Sequence, residues 1–258
     1  MQLNTIKQFN YWQPSATGSL IPQQLSVLSA RQKAKGDALA VIALSDMQGL
    51  TQESGQYIPL GIEVFRYILP ELEMDALIPP LSQCLLCIVG DMYASTTEFK
   101  MGLNGNIDPV LEEAMALAPG FLAIVLGNHD TLSPAMQAKL SHTPNVALLD
   151  GDTVETHGLV LGGISGIMGN PAKKPNRNDK TMLDKKCKQI VRQQPDILLL
   201  HEGPHLNEHQ IGHSDITDAL TNFPATTVIS GHAHWQEPIA EFQNHRIINT
   251  DARIIVLQ

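Results

Sequence analysis

What most constrains this chain is a set of short apolar runs that each end directly in polar residues instead of ordinary turn residues. Run 38–44 leads into Ser45, Asp46, Met47, Gln48 and Gly49. Run 84–89 leads into Gly90 and Asp91, and run 121–126 into Gly127, Asn128, His129 and Asp130. Run 197–200 leads into His201 and Glu202, and run 227–230 into Gly231, His232, Ala233 and His234. Continuous apolar runs of this length suit strands buried on both faces. In an open α/β sheet the residues just beyond the carboxyl ends of such strands converge, however far apart they are in sequence. The converging groups here are carboxylates, amides and imidazoles, a mixed donor set suited to a Mn, Fe, Zn or Ni centre and large enough for two metals.

Between the runs, segments 109–117, 134–140, 179–193 and 214–222 have helical features. Pro109 and Pro134 suit a first helical turn, and Ser214 reads as an N-cap ahead of Asp215. Segments 146–149, 153–156, 159–165, 245–248 and 253–257 read as strands, with Asn249, Thr250 and Asp251 as a hairpin turn. Strands alternating with helices, followed by hairpins, predict a mixed α/β layered fold. At 258 residues and 43% hydrophobic, the chain can bury a sizeable core, which excludes general disorder. The simplest organisation is an N-terminal extension, 1–36, rich in Gln and Ser, followed by a single domain, 37–258. Self-association into a homo-oligomer stays open.

Three cysteines in a long chain do not make a disulfide framework, and Cys84 and Cys87 lie inside an apolar run, where they read as buried thiols. The N-terminus lacks the pattern of a secretory signal and no run approaches a membrane span, so a soluble, cytoplasmic protein is expected. A formal net charge of −9 argues against bulk nucleic-acid binding, and with it against a nuclease.

The order Asp46-x-Gln48, Gly90-Asp91, Gly127-Asn128-His129-Asp130, His201 and Gly231-His232-x-His234 resembles the calcineurin-like metallophosphoesterases. Their usual pattern is D-x-H, G-D, G-N-H-D or G-N-H-E, a lone H, and G-H-x-H. The resemblance, carried by residues 38–234, implies a four-layer α/β/β/α sandwich with two central mixed β-sheets and a metal site at one edge. It assigns Asp46, Gln48 and His234 to a first metal, Asn128, His201 and His232 to a second, and Asp91 to a bridge between them. A carboxylate can span two cations about 3.5–4 Å apart. His129 resembles the family's catalytic histidine, a hydrogen-bond or proton donor to the phosphoryl or leaving-group oxygen, with Asp130 as its orienting partner. The implied reaction is hydrolysis of a small or medium phosphomonoester or phosphodiester by a metal-activated water. The implied cofactors are two divalent metal ions, Mn or Fe first, then Zn, Ni or Mg.

Gln48 stands where the family usually has histidine, and its amide oxygen, a harder donor, moves the preference from zinc toward Mn or Mg. That departure motivates a second reading, a binding scaffold with little catalysis. His129 separates the two, since a scaffold has no use for a histidine beside the metals that does not bind them. Asp91 is followed by Met92, Tyr93, Ala94 and Ser95, without the Val-Asp-Arg-Gly of the protein phosphatase and diadenosine tetraphosphatase branches. His205, His209 and His213 read as loop residues, Trp235 as packing, and Met47 and Met92 as fillers between the ligand loops. Lys173, Lys174, Arg177 and Lys180 are either a solvated run or a grip on substrate phosphate.

Overall fold

In the computed structural model, which describes residues 1–31 and 36–258, the apolar runs become strands whose two faces enter two different cores. The first strands are β1 (Asn4–Pro14), β2 (Leu20–Ala30), β3 (Ala40–Ser45), β4 (Leu50–Glu53), β5 (Gln56–Pro59), β6 (Cys84–Val89), β7 (Gly105–Asn106), β8 (Phe121–Val125), β9 (Asp130–Thr131) and β10 (Val146–Leu148). The rest are β11 (Asp152–Thr156), β12 (Leu159–Ile164), β13 (Ile167–Met168), β14 (Arg177–Asn178), β15 (Ile197–Glu202), β16 (Thr227–Gly231), β17 (Ile239–Phe242), β18 (His245–Asn249) and β19 (Arg253–Leu257). The helices are α1 (Leu60–Glu63), α2 (Leu69–Met74), α3 (Asp108–Ala116), α4 (Pro134–His142), α5 (Lys180–Val191) and α6 (Ser214–Leu220).

A nine-stranded sheet runs β10-β8-β6-β3-β19-β2-β1-β4-β5, and a six-stranded sheet runs β11-β12-β15-β16-β18-β17. Alternation along each strand sorts the side chains. Ile42, Leu44, Leu86, Ile88, Leu122 and Ile124 pack with Phe65, Leu111 and Met136 of the helical layer. Their sequence neighbours Val41, Ala43, Leu85, Cys87, Ala123 and Val125 pack with Leu161, Leu199, Ile229 and Ile248 of the second sheet. On the far side of that sheet, Leu198, Leu200, Val228 and Ile247 meet Leu183 and Ile190 of α5 and Ile216 and Leu220 of α6. The fold is therefore the four-layer α/β/β/α sandwich, and a run apolar at every position follows from having a core on each face. Cys84 and Cys87 are fully buried thiols, one in each core.

Residues 4–30, inside the stretch expected as an extension, form the β1–β2 hairpin, in which β2 pairs with β19 and β1 meets β4 at Trp12–Leu50. Residues 32–35 of that stretch lie outside the described residues. Two local expectations are corrected. Ser214 is the first residue of α6 and not its cap, because the ring of His213 takes that place, its Nδ1 accepting from Asp215 N at 3.2 Å. Asn249, Thr250 and Asp251 form no hairpin, because β18 and β19 belong to different sheets and the chain crosses between them. Thr250 Oγ1 stitches that crossing, donating to Ser45 Oγ at 2.9 Å and Ser230 O at 3.1 Å. Among the described residues, no helix is long and apolar enough to cross a membrane.

Candidate metal centre

The parallel strands β3, β6 and β8 of one sheet and β15 and β16 of the other deliver their C-terminal ends to one edge of the sandwich. The chain turns sharply there. Asp46, Asp91 and His232 have φ of 57°, 54° and 66°, a left-handed backbone that a β-carbon disfavours by about 1–3 kcal/mol per residue. Hydrogen bonds hold it in place. Asp46 N donates to Gly90 O at 2.9 Å, His232 N to Asp46 Oδ2 at 2.9 Å, and Asp91 N to Asp130 Oδ2 at 2.7 Å.

Packing explains two of the motif glycines. A β-carbon on Gly127 would lie 1.9 Å from Asp91 Oδ1, and one on Gly231 would lie 2.4 Å from Asp46 Oδ2. The carboxylates lie directly on these glycine backbones, so the motifs need glycine as much as they need the donors.

Asp91, His201 and His232 bring one donor atom each within 4.8 Å of one another. Asp91 and His201 are buried, with Asp91 Oδ2 3.4 Å from His201 Nε2. His201 Nδ1 is 2.8 Å from Val89 O and donates to it, which leaves Nε2 as the lone-pair nitrogen of the neutral ring. Nε2 itself has no hydrogen-bond partner, nor has the buried Asn128 Oδ1. A buried amide oxygen and a buried ring nitrogen without hydrogen-bond partners beside a buried carboxylate are costly, and with the His201 ring neutral the three fit a divalent metal.

Burial alone would lower the pKa of His201, but the nearby Asp91 and Asp46 outweigh it and push the value up to about 10. Burial likewise works to raise the Asp91 carboxyl, and the His201 charge overcomes it, leaving Asp91 below the usual range. His232 is driven down to about 4, first by burial and then by the His201 charge. Burial holds the Asp46 carboxyl well above its ordinary value.

Asp46, Gln48, Asp91, His129, His232 and His234 share a cleft of about 780 Å³. Its outer wall carries Tyr11, Gln13, Gln23, Gln24 and Ser26 of the N-terminal hairpin. Gln48 Nε2 donates to Asp91 Oδ2 at 3.3 Å, leaving its amide oxygen free. His234 lies at the more exposed end, with Nδ1 2.7 Å from Asp251 Oδ2 and Nε2 3.3 Å from Arg253 Nη2. His129 Nε2 lies 4.0 Å from Asp91 Oδ2, and burial, ahead of other causes, lowers its pKa.

The expected pairing of Asp130 with His129 does not occur. The Asp130 carboxylate is buried against the main chain, accepting from the backbone N–H of Asp91, Met92, Tyr93 and Gly127. It ties the end of β6 to the end of β8. The partner of the His129 ring is Asn104, with Oδ1 2.8 Å from Nδ1. The sequence marks Asn104 only as a turn residue and Asp251 only as part of a supposed hairpin. Of the other residues weighed, Glu202 accepts from Met168 N and buried Trp235 donates Nε1–H to Ile211 O. Met47 and Met92 are fully buried beneath the ligand loops.

Among solved structures, TT1561 of Thermus thermophilus superposes with a TM-score of 0.58 at 14% identity, covering 83% of this chain and 90% of that one. The calcineurin-like phosphoesterase YfkN from Bacillus subtilis gives a TM-score of 0.45 at 13% identity, over 77% of this chain and 72% of that one. Comparison with curated proteins finds no match. Residues 39–236, which span every motif described above, match the calcineurin-like phosphoesterases, and the chain belongs to that family.

Proposed function

We propose that this chain hydrolyses a small or medium phosphomonoester or phosphodiester at a centre of two divalent ions. Asp46, Gln48 and His234 hold the first ion, Asn128, His201 and His232 the second, and Asp91 bridges them. The observation that carries this reading is that the buried Asn128 Oδ1 and His201 Nε2, neither with a hydrogen-bond partner, lie with the Asp91 carboxylate at the ends of the strands. The mixed donor set suits Mn or Fe, with Zn, Ni or Mg next, and the Gln48 amide oxygen in place of an imidazole moves the preference away from Zn toward Mn or Mg. When bound, the ions supply a water nucleophile at neutral pH and neutralise charge on the phosphoryl oxygens.

The remaining work falls to the chain. Asn104 Oδ1 accepts Nδ1–H of His129 and sets the ring with Nε2 toward the centre; only the cationic ring, which burial disfavours, carries a second proton on Nε2 for the leaving-group oxygen. Asp251 plays the matching role for His234, accepting Nδ1–H so that Nε2 is the ligating atom. Arg253 Nη2 sits against that nitrogen and also donates to Trp235 O at 2.6 Å, so it has an anchor to keep when His234 turns to a metal. Asp130 is architectural, keeping the Asp91 and Asn128 loops in register.

The test is the metal content of protein purified without chelator, paired with hydrolysis of p-nitrophenyl phosphate and bis-p-nitrophenyl phosphate in added Mn. Two metals per chain with turnover on either ester is the expected result. At most one metal, with no turnover above an Asp91→Asn control, would overturn it.

A further inference from the structure

Arg177 and Lys174, two cations whose charge acts on His129, have no part in the site as described, and only Arg177 lies in a strand. Arg177 lies in β14, paired in parallel with Ile167 of β13. Side-chain amides pin the chain on both sides of it. Asn176 Nδ2 donates to Gly127 O at 2.9 Å and to Asp130 O at 2.7 Å, the carbonyls that bracket Asn128 and His129. Asn178, buried, donates Nδ2–H to Ser165 O at 2.8 Å and accepts from Lys186 Nζ at 2.6 Å. Arg177 is therefore carried by the same rigid turn as the predicted ligand Asn128 and the predicted donor His129.

Its guanidinium forms no ion pair among the described residues, although its charge acts on the Glu202 carboxyl. Its one hydrogen bond among them is from Nη1 to Asn176 O at 3.4 Å. Among the described residues, Arg66 is the one half-buried arginine in an ion pair, with Glu53 and Glu113, and Arg177, Arg246 and Arg253 are in none. The other half-buried arginine of the site, Arg253, is engaged by Asn249 Oδ1 and Trp235 O. The charge of Arg177 reaches the centre. After burial and the His201 charge, it is among the causes that lower the pKa of His129 and of His232.

We infer that Arg177 is a substrate-binding residue, its planar guanidinium held on the Asn176 and Asn178 pins to take two non-bridging oxygens of the phosphoryl group. The inference rests on the hydrolase reading above and supplies its phosphate clamp. Lys180, paired with Asp215, has no part in it.

The experiment uses the full chain loaded with Mn and compares wild type, Arg177→Gln, Arg177→Lys and Asn176→Ala. Metal content, Tm, kcat and KM on p-nitrophenyl phosphate, and inhibition by inorganic phosphate are measured. For Arg177→Gln the expected result is unchanged metal content and Tm, a phosphate Ki raised about tenfold, and kcat/KM lowered about 100-fold. Arg177→Lys should recover part of the phosphate affinity and little of kcat, since an ammonium cannot make the forked contact. Asn176→Ala, which also unpins the turn of Asn128 and His129, should lower metal content together with kcat/KM and so marks what loss of the turn looks like beside loss of the clamp. Wild-type Ki and kcat/KM in Arg177→Gln would overturn the clamp alone. Loss of metal or of Tm in both Arg177 variants would overturn it too, by making the residue structural. Failure of the wild type to bind Mn and to hydrolyse either ester would overturn the hydrolase reading and the clamp with it.

Discussion

Metal binding at the second half-site should expel one proton, and His201 is its source. In the metal-free protein, burial by itself lowers the pKa of this imidazole, but Asp91 at 3.4 Å and then Asp46 raise it to about 10. At pH 7.5 the ring is therefore charged, while a ligand must present a neutral nitrogen. Removing a proton about 2.5 pH units below its pKa costs about 3.4 kcal/mol, roughly a 300-fold loss of apparent affinity relative to the fully neutral ring. The logarithm of Mn affinity should thus rise by about one per pH unit between pH 7 and 9, with one proton released per second-site ion. Titration calorimetry in buffers of differing ionisation enthalpy reads the proton count directly. Asp91→Asn supplies the control: without the carboxylate that raises His201, the remaining weak binding should lose its pH slope. A pH-independent affinity with no proton release in the wild type would refute the reasoning. The same pair sets the pH dependence of the metal-free fold. His201, raised, contributes stability that is full below its unfolded value, about 6.5, and lost as pH climbs through about 10. Asp91, lowered, contributes stability present above its unfolded value of 3.8 and lost as pH falls below it.

Asp130→Asn turns one carboxylate oxygen, which accepts two backbone N–H groups, into a donor facing them, so Mn affinity and Tm should fall together in equilibrium dialysis and calorimetry. His129→Ala should keep wild-type metal content and Tm and lose about 10²- to 10⁴-fold in kcat, measured on the ester that the wild type prefers. The reverse pattern, Asp130→Asn with intact metal and lost turnover, would return Asp130 to a role on His129. Gly127→Ala places a β-carbon 1.9 Å from Asp91 Oδ1 and 2.2 Å from Asp91 N, so it should abolish tight Mn binding at a folding cost of about 1–3 kcal/mol, read by metal analysis beside a denaturant curve.

The strand ends were legible because a strand packed on both faces has no polar position until it leaves the core. Ile88 faces the helical layer and Val89 the second sheet, and the first side chain beyond them with a polar group is Asp91. The β1–β2 hairpin gave no such signal. It lies toward one side of the nine-stranded sheet and buries only scattered residues such as Tyr11, Leu25 and Val27, so amides and hydroxyls break up its apolar residues and no continuous run forms. The helical stretch from α1 to α2 was also hidden. Neither helix has a side-chain cap, Pro70 lies within the stretch, and a π-helical turn at Val64–Ile68 interrupts the α-helical period.

The least legible parts of the site are the partners of its imidazoles. Asn104 and Asp251 sit in connecting segments, where Asn and Asp are common for local backbone reasons, so their presence there carries no sign of what they touch. Val89, which fixes the His201 tautomer, does so through a carbonyl that any residue would supply. The donors can be read from the sequence because their chemistry lies in the side chain and their spacing follows the strands. Their orientation cannot, because it is set by contacts that separate His201 from Val89 by 112 residues and His129 from Asn104 by 25. The departure from the family pattern at Gln48 therefore has to be weighed against such partners: the amide that stands where the family usually has an imidazole also donates to Asp91, and so helps to hold the carboxylate proposed as the bridge.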